Sequence, residues 1–155
     1  MKVYIKNQQR SIKISQQRLR RLLREALHLL ELQRSELSIL FVNDRRMKIL
    51  NLQHRGVDRT TDILSFPQFS AEKLKARRAE VRTSGPQSFR TSELLLGDIV
   101  INLTRARRQA AENGLTLNEE LKRLVIHGLL HLIGHDHEKS RYQKNKMELK
   151  ERELL

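Results

Sequence analysis

The stretch from Thr116 to Gly134 leaves this chain little freedom. Thr116-Leu117-Asn118-Glu119 has the form of a capping box, with Thr at the helix cap and Glu three residues on. From Leu124 the pattern is apolar almost all round, through Val125, Ile126, Leu129, Leu130, Leu132 and Ile133. A helix with no wet side cannot lie on a surface, so the rest of the chain must enclose it. Gly134 ends it. The chain has 155 residues, enough for one domain, taken as residues 1–155, with a sizeable core.

The surrounding sequence mixes strand and helix signals. Val3 and Ile5 alternate, and so do Ile12 and Ile14, which predicts a short strand pair at the start. Ser15 is placed to cap a helix carrying Leu19, Leu22, Leu23, Ala26, Leu27 and Leu30 at helical spacing. Leu37–Val42 reads as a buried strand. Asn43 and Asp44 are cap candidates for a short helix through Leu50. Ile63–Phe66 reads as a strand stopped by Pro67. Residues 70–91 are charged and polar around Ser84-Gly85-Pro86 and are expected to form a loop, with a helical turn near Glu72–Arg82. Leu94–Ile101 reads as a strand or a bent strand pair. A helix follows from Thr104 to Glu112. The tail from Glu138 to Leu155 reads as a surface helix with a thin apolar stripe of Tyr142, Met147 and Leu149. No Gly-rich phosphate loop follows a strand, which argues against a doubly wound nucleotide-binding fold.

Four histidines fall close together at His127, His131, His135 and His137. His127 and His131 are i and i+4 on one face of an otherwise apolar helix. Two imidazoles so placed can bind one metal ion, and buried imidazoles need a partner of some kind. Gly134 permits the backbone to turn and bring His137 to the same ion. Three nitrogens and an open position for water are the plan of a catalytic zinc site. Asp136 either orients a ligand histidine, accepts a proton, or is an ordinary turn residue. His135 is either a solvated turn residue or a proton carrier. The spacing resembles the metzincin motif His-Glu-x-x-His-x-x-Gly-x-x-His, except that Gly128 stands where that motif has its glutamate base.

Charge narrows the partners. Lys plus Arg is 31 against 18 for Asp plus Glu, a net charge of +13. A chain so basic attracts polyanions, nucleic acid before membrane surfaces. Arg18, Arg20, Arg21 and Arg24 form one basic segment, and Lys73, Lys75, Arg77 and Arg78 another. The absence of cysteine excludes disulfides, thiolate zinc sites and a cysteine nucleophile. No apolar run reaches the roughly 18 residues of a membrane span. The start lacks a signal-peptide pattern, so a cytoplasmic location is expected. Aromatics are 4% of residues, too few for base-stacking platforms, so backbone-led nucleic-acid binding with weak sequence preference is expected.

The stretch Asn51 to Pro67 holds a second constellation: Arg55-Gly56, then Asp58-Arg59-Thr60-Thr61-Asp62, then the strand. A guanidinium at Arg55, set near a metal, would bind a phosphate bidentately and offset charge developing on it. With Leu96-Gly97-Asp98-Ile99-Val100-Ile101 and His127–His137, this stretch resembles the YbeY family of bacterial endoribonucleases. The family pattern Asn…Tyr-Arg-Gly…Thr-Asp-(Val/Ile)-Leu-Ser-Phe-Pro is matched except at His54, and the His-rich pattern is matched with His135 where an aromatic is common. The resemblance implies an α+β single domain, a small mixed four-stranded sheet flanked by helices, with a metzincin-like zinc-binding helix. It implies one zinc ion on His127, His131 and His137, with Arg55 in the cleft. It implies metal-dependent cleavage of single-stranded RNA, maturation of ribosomal RNA at the 3′ end of the small-subunit RNA, and a part in ribosome quality control. The ribosome or its small-subunit proteins are then the expected partners, with Arg55 and Asp136 as the catalytic side chains. Two other readings stand beside it: a zinc metallopeptidase, which Gly128 handicaps, and a non-enzymatic ribosome-assembly factor with a structural metal.

Overall fold

In the computed structural model, which describes residues 1–83, 94–135 and 140–155, four strands and six helices surround one sheet. The order along the chain is β1 (Lys2–Asn7), α1 (Gln16–Leu29), β2 (Ser35–Val42), α2 (Asp44–Arg55), β3 (Ile63–Pro67), α3 (Ala71–Thr83), β4 (Leu94–Asn102), α4 (Leu103–Glu112), α5 (Leu117–Leu132) and α6 (Arg141–Leu154). The sheet order is β1-β2-β4-β3. β1 and β4 run parallel to β2, and β3 runs antiparallel to β4. The expected mixed four-stranded α+β architecture is therefore present.

Side-chain alternation assigns helices to faces. Ile99 and Ile101 of β4 join the larger core with Leu19, Leu23 and Leu27 of α1 and Leu121, Leu124 and Val125 of α5. Val100, between them, points the other way and packs with Leu64, Met47 and Leu50. α5 thus lies on one face of the sheet and α2 on the opposite face. Burying the apolar helix α5 contributes roughly 1.5–3 kcal/mol per large side chain before entropy is counted. Leu121, Leu124, Val125, Ile126, Leu129, Leu130 and Leu132 are all buried.

Four sequence expectations change. The opening strand pair is absent: β1 pairs with β2 instead, and residues 12–14 are not a strand. The cause is Gln9, whose side-chain amide donates to the Ile12 carbonyl at 2.7 Å and accepts from its N–H at 2.8 Å. Both backbone groups of Ile12 are spent there, while its side chain enters the core. The helix after Asn43 continues past Leu50 to Arg55. The helical turn expected near Glu72–Arg82 is a full helix, α3, over residues 71–83, and the rest of the expected loop, 84–91, lies outside the described residues. Ser70 starts α3, accepting at its hydroxyl from Lys73 N–H at 3.4 Å. Good helix formers fill it, but between Ala71 and Glu80 Leu74 is the one deeply buried side chain, so that stretch shows almost no periodicity. In the tail helix Met147 is buried, whereas Tyr142 and Leu149 face solvent.

β4 is one strand with an irregularity. Glu36 pairs with Leu95, but Leu37 pairs with Gly97, so β4 carries an extra residue. Gly97 has φ +133° there, and a Cβ would stand 2.1 Å from the Phe66 carbonyl oxygen. Only glycine lets β3 and β4 approach at that point.

Candidate metal centre

The centre begins with the start of α5. Thr116 accepts from Glu119 N–H at 3.3 Å, and the Glu119 carboxylate accepts from Thr116 N–H at 2.7 Å. These bonds fix where the helix begins and hence which residues face the sheet. His127 and His131 fall on a half-buried face. Their Nε2 atoms stand 3.1 Å apart, with ring planes inclined by 70°. The two ligand-type nitrogens therefore converge.

His127 has a second contact that the sequence reading missed. Its Nδ1 lies 2.6 Å from Oε1 of Glu151, on α6. A signal for Glu151 exists in the sequence. Met147, Glu151 and Leu154 fall at i, i+4 and i+7, and both apolar members are buried. A carboxylate inside an apolar stripe demands a partner. One turn before His127, Arg123 donates to Glu120 at 2.6 and 3.1 Å, and Glu120 is fully buried. The Glu120 bonds raise the Arg123 pKa against the opposing effect of burial, and the charges of Glu120, Asp62 and Glu151 reinforce the rise.

The turn after α5 is shaped by Gly134, at φ +91°, where a Cβ would stand 2.7 Å from Cβ of Ala71. The first residue of α3 thus presses on the backbone just beyond His131. Burial, aided by the charges of Lys146 and Lys150, pushes the His135 imidazolium pKa down. Asp136 and His137 lie outside the described residues. Among the described residues no three His, Asp or Glu side chains are grouped to hold a metal.

Gly128 faces the sheet. A Cβ there would meet Ile63 Cδ1 at 2.9 Å and Ile99 Cγ2 at 3.0 Å. The place where a metzincin carries its base is therefore filled by β3 and β4. Arg55 is exposed at the last position of α2, on the other face of the sheet. It makes no hydrogen bond to either histidine, and its neighbour His54 packs edge-on against Phe66 of β3 at 4.9 Å between ring centroids.

The Asp-Arg-Thr-Thr-Asp run after Arg55 has a structural occupation. Buried Asn102 donates through Nδ2 to Asp44 Oδ1 at 2.6 Å, Thr60 Oγ1 at 2.9 Å and the Thr61 carbonyl at 3.1 Å. Its Oδ1 accepts from Arg105 N–H at 3.2 Å and caps α4. Asp62 accepts from Ile63 N–H and from Gln109. The loop into β3 is thereby tied to α2 and α4. Of the basic segments, Arg20 and Arg78 donate to the Val3 and Leu30 carbonyls, and Arg77 pairs with Glu80. Arg18, Arg21, Arg24, Lys73 and Lys75 are exposed.

A family model described as Endoribonuclease YbeY matches residues 4–155. The Endoribonuclease YbeY of Leptospira interrogans serovar Lai is 41% identical over 121 residues, covering 77% of this chain and 84% of that protein. That of Syntrophus aciditrophicus is 32% identical over 156 residues, 100% of this chain and 88% of that one. The Endoribonuclease YbeY of Myxococcus xanthus is 44% identical over 125 residues, but the match spans only 37% of its length. The solution structure of TM1509 from Thermotoga maritima is similar at a TM-score of 0.60 and 26% identity, covering 98% of this chain and 88% of that one.

Proposed function

The chain belongs to the YbeY family of endoribonucleases, and from that premise we propose that it is a zinc-dependent hydrolase of single-stranded RNA. Its role is processing of ribosomal RNA, at the 3′ end of the small-subunit RNA, and ribosome quality control. The ribosome or its small-subunit proteins are its partners, in the cytoplasm. Among the described residues no helix is long and apolar enough to cross a membrane.

The observation that carries the metal reading is the 3.1 Å separation of the two Nε2 atoms. Two nitrogens bound at 2.0–2.1 Å to one tetrahedral zinc stand about 3.3 Å apart. The donor type and the spacing fit, and His127, His131 and His137 are the proposed ligands of one Zn2+. Zinc, when bound, supplies a Lewis acid and lowers the pKa of a coordinated water toward about 7.

The chain's own residues do the rest. Arg55 binds a phosphate oxygen through its guanidinium and offsets charge that develops there. Asp136 orients a ligand histidine or takes a proton. Arg18, Arg21, Arg24, Lys73 and Lys75 hold the RNA backbone, supported by the net charge of +13.

The test is a cleavage time course on labelled single-stranded RNA, with and without chelator, using His131→Ala purified identically. Cleavage by wild type alone, abolished by chelator, is expected. Cleavage that survives chelation, or that His131→Ala retains, overturns the metal reading. A zinc-loaded protein that binds RNA and cuts nothing, even on ribosomal particles, would instead be an assembly factor.

A further inference from the structure

We propose that Glu151 is a positioning residue of the metal centre, so that the C-terminal helix α6 sets the affinity for metal. This rests on the reading of His127 and His131 as ligands. Oε1 of Glu151 lies 2.6 Å from Nδ1 of His127, and both side chains are largely buried, at 18% and 22% exposure. A carboxylate carries no proton to give at neutral pH, so Nδ1–H donates to it. That fixes the ring's tautomer and turns Nε2, the nitrogen 3.1 Å from its counterpart on His131, toward the site.

Three neighbours make the contact specific. Met147 and Leu154 flank Glu151 on the same face of α6, and both are buried, which holds the carboxylate at a set depth. Arg123 is a cation near enough to feel the Glu151 charge. Glu120 engages that guanidinium through two bonds, which directs Arg123 elsewhere. His127 is thereby left as the partner of Glu151. The contact joins residues 24 apart in sequence, so metal affinity and the docking of α6 become one property.

The test uses the full chain, stripped of metal and titrated with zinc against a chromophoric chelator. The variants are Glu151→Ala, Glu151→Gln, Leu154→Ala, Glu148→Gln as an exposed carboxylate on the same helix, and His131→Ala. The His127 tautomer in the metal-stripped proteins is read from imidazole 15N shifts. Glu151→Ala is expected to weaken zinc binding 10–100-fold and release His127 into a tautomer mixture. Glu151→Gln, whose amide oxygen still accepts from Nδ1–H, is expected to recover most of both. Glu148→Gln leaves both unchanged. If Glu151→Ala binds zinc like wild type while His131→Ala does not, the positioning role is refuted and the ligands stand. If Leu154→Ala weakens zinc as much as Glu151→Ala with the tautomer intact, Glu151 only anchors the helix and the proposal fails. If His131→Ala binds zinc like wild type, the ligand reading itself has failed.

Discussion

Asn102→Ala should undo a knot that three segments share. The side chain is fully buried and makes four hydrogen bonds, to Asp44, Thr60, the Thr61 carbonyl and Arg105 N–H. Losing the cap on α4 costs about 1 kcal/mol. Leaving the Thr61 carbonyl without its donor costs about 1–3 kcal/mol. Asp44 keeps Arg108 at 2.9 Å and Thr60 at 3.2 Å, so its own loss adds about 1 kcal/mol at most. The sum is about 2–5 kcal/mol, a large share of the roughly 5–15 kcal/mol that holds a domain together. For a chain of this size it lowers Tm by about 10 °C.

The assay is urea unfolding followed by circular dichroism, repeated from pH 7 to pH 3. Burial acts to raise the Asp44 pKa, but the bonds from Asn102, Arg108 and Thr60 outweigh it and leave the carboxyl below its usual value. A lowered pKa in the folded state adds stability above the unfolded value of about 3.9. That stability disappears as the pH falls through the folded value. Part of it depends on Asn102, so the gap between wild type and variant should narrow below about pH 4. A loss under about 1 kcal/mol at pH 7, or a gap that widens in acid, would refute the reasoning.

Three further outcomes follow from local geometry. Gly128→Glu, which restores the metzincin carboxylate, should fail to fold or lose more than about 3 kcal/mol, because its Cβ already meets Ile63 and Ile99; a stable variant with peptidase activity would show the sheet-facing assignment to be wrong. Gly134→Ala should cost about 1–3 kcal/mol through its φ of +91°, with more from the overlap with Ala71. Adding Ala71→Gly should recover only the overlap, as measured by the urea midpoint. Arg55→Glu should slow RNA cleavage and leave zinc affinity and Tm within error of wild type, since the side chain is exposed at the end of α2; unchanged cleavage would remove Arg55 from the phosphate.

What the sequence disclosed, and what it hid, has a common cause. Periodicity reports the side chains that a helix or strand buries. α5 was legible because seven of its apolar residues are buried and its cap is written in four letters. α3 was legible only as a helical turn near Glu72–Arg82, because between Ala71 and Glu80 Leu74 is the one deeply buried side chain and the rest of the signal is propensity. The strand expected at Ile12–Ile14 failed because alternation cannot see a side chain that binds backbone, and Gln9 does so here. The convergence of His127 and His131 was legible because i, i+4 spacing is local. Glu151 was missed because its meaning depends on α6 docking beside α5, a contact between residues 24 apart. Thr60, Thr61 and Asp62 were taken with Arg55 as one constellation, but their bonds go to Asn102, Asp44 and Gln109. They hold the loop, while Arg55 is exposed at the end of α2.

The placement of Arg55 and of the histidines runs through one strand. Among the described residues β3 is one edge of the sheet, and its two faces serve different helices. Ile63 turns toward Gly128 and α5, while Leu64 packs with Met47 and Leu50 of α2, and Phe66 meets His54. A strand runs about 3.3 Å per residue and presents its faces alternately. The end of α2 and the helix α5 that carries the histidines are therefore held through alternate residues of one strand. A peptidase base at position 128 has no room in this arrangement, because the sheet already fills that place.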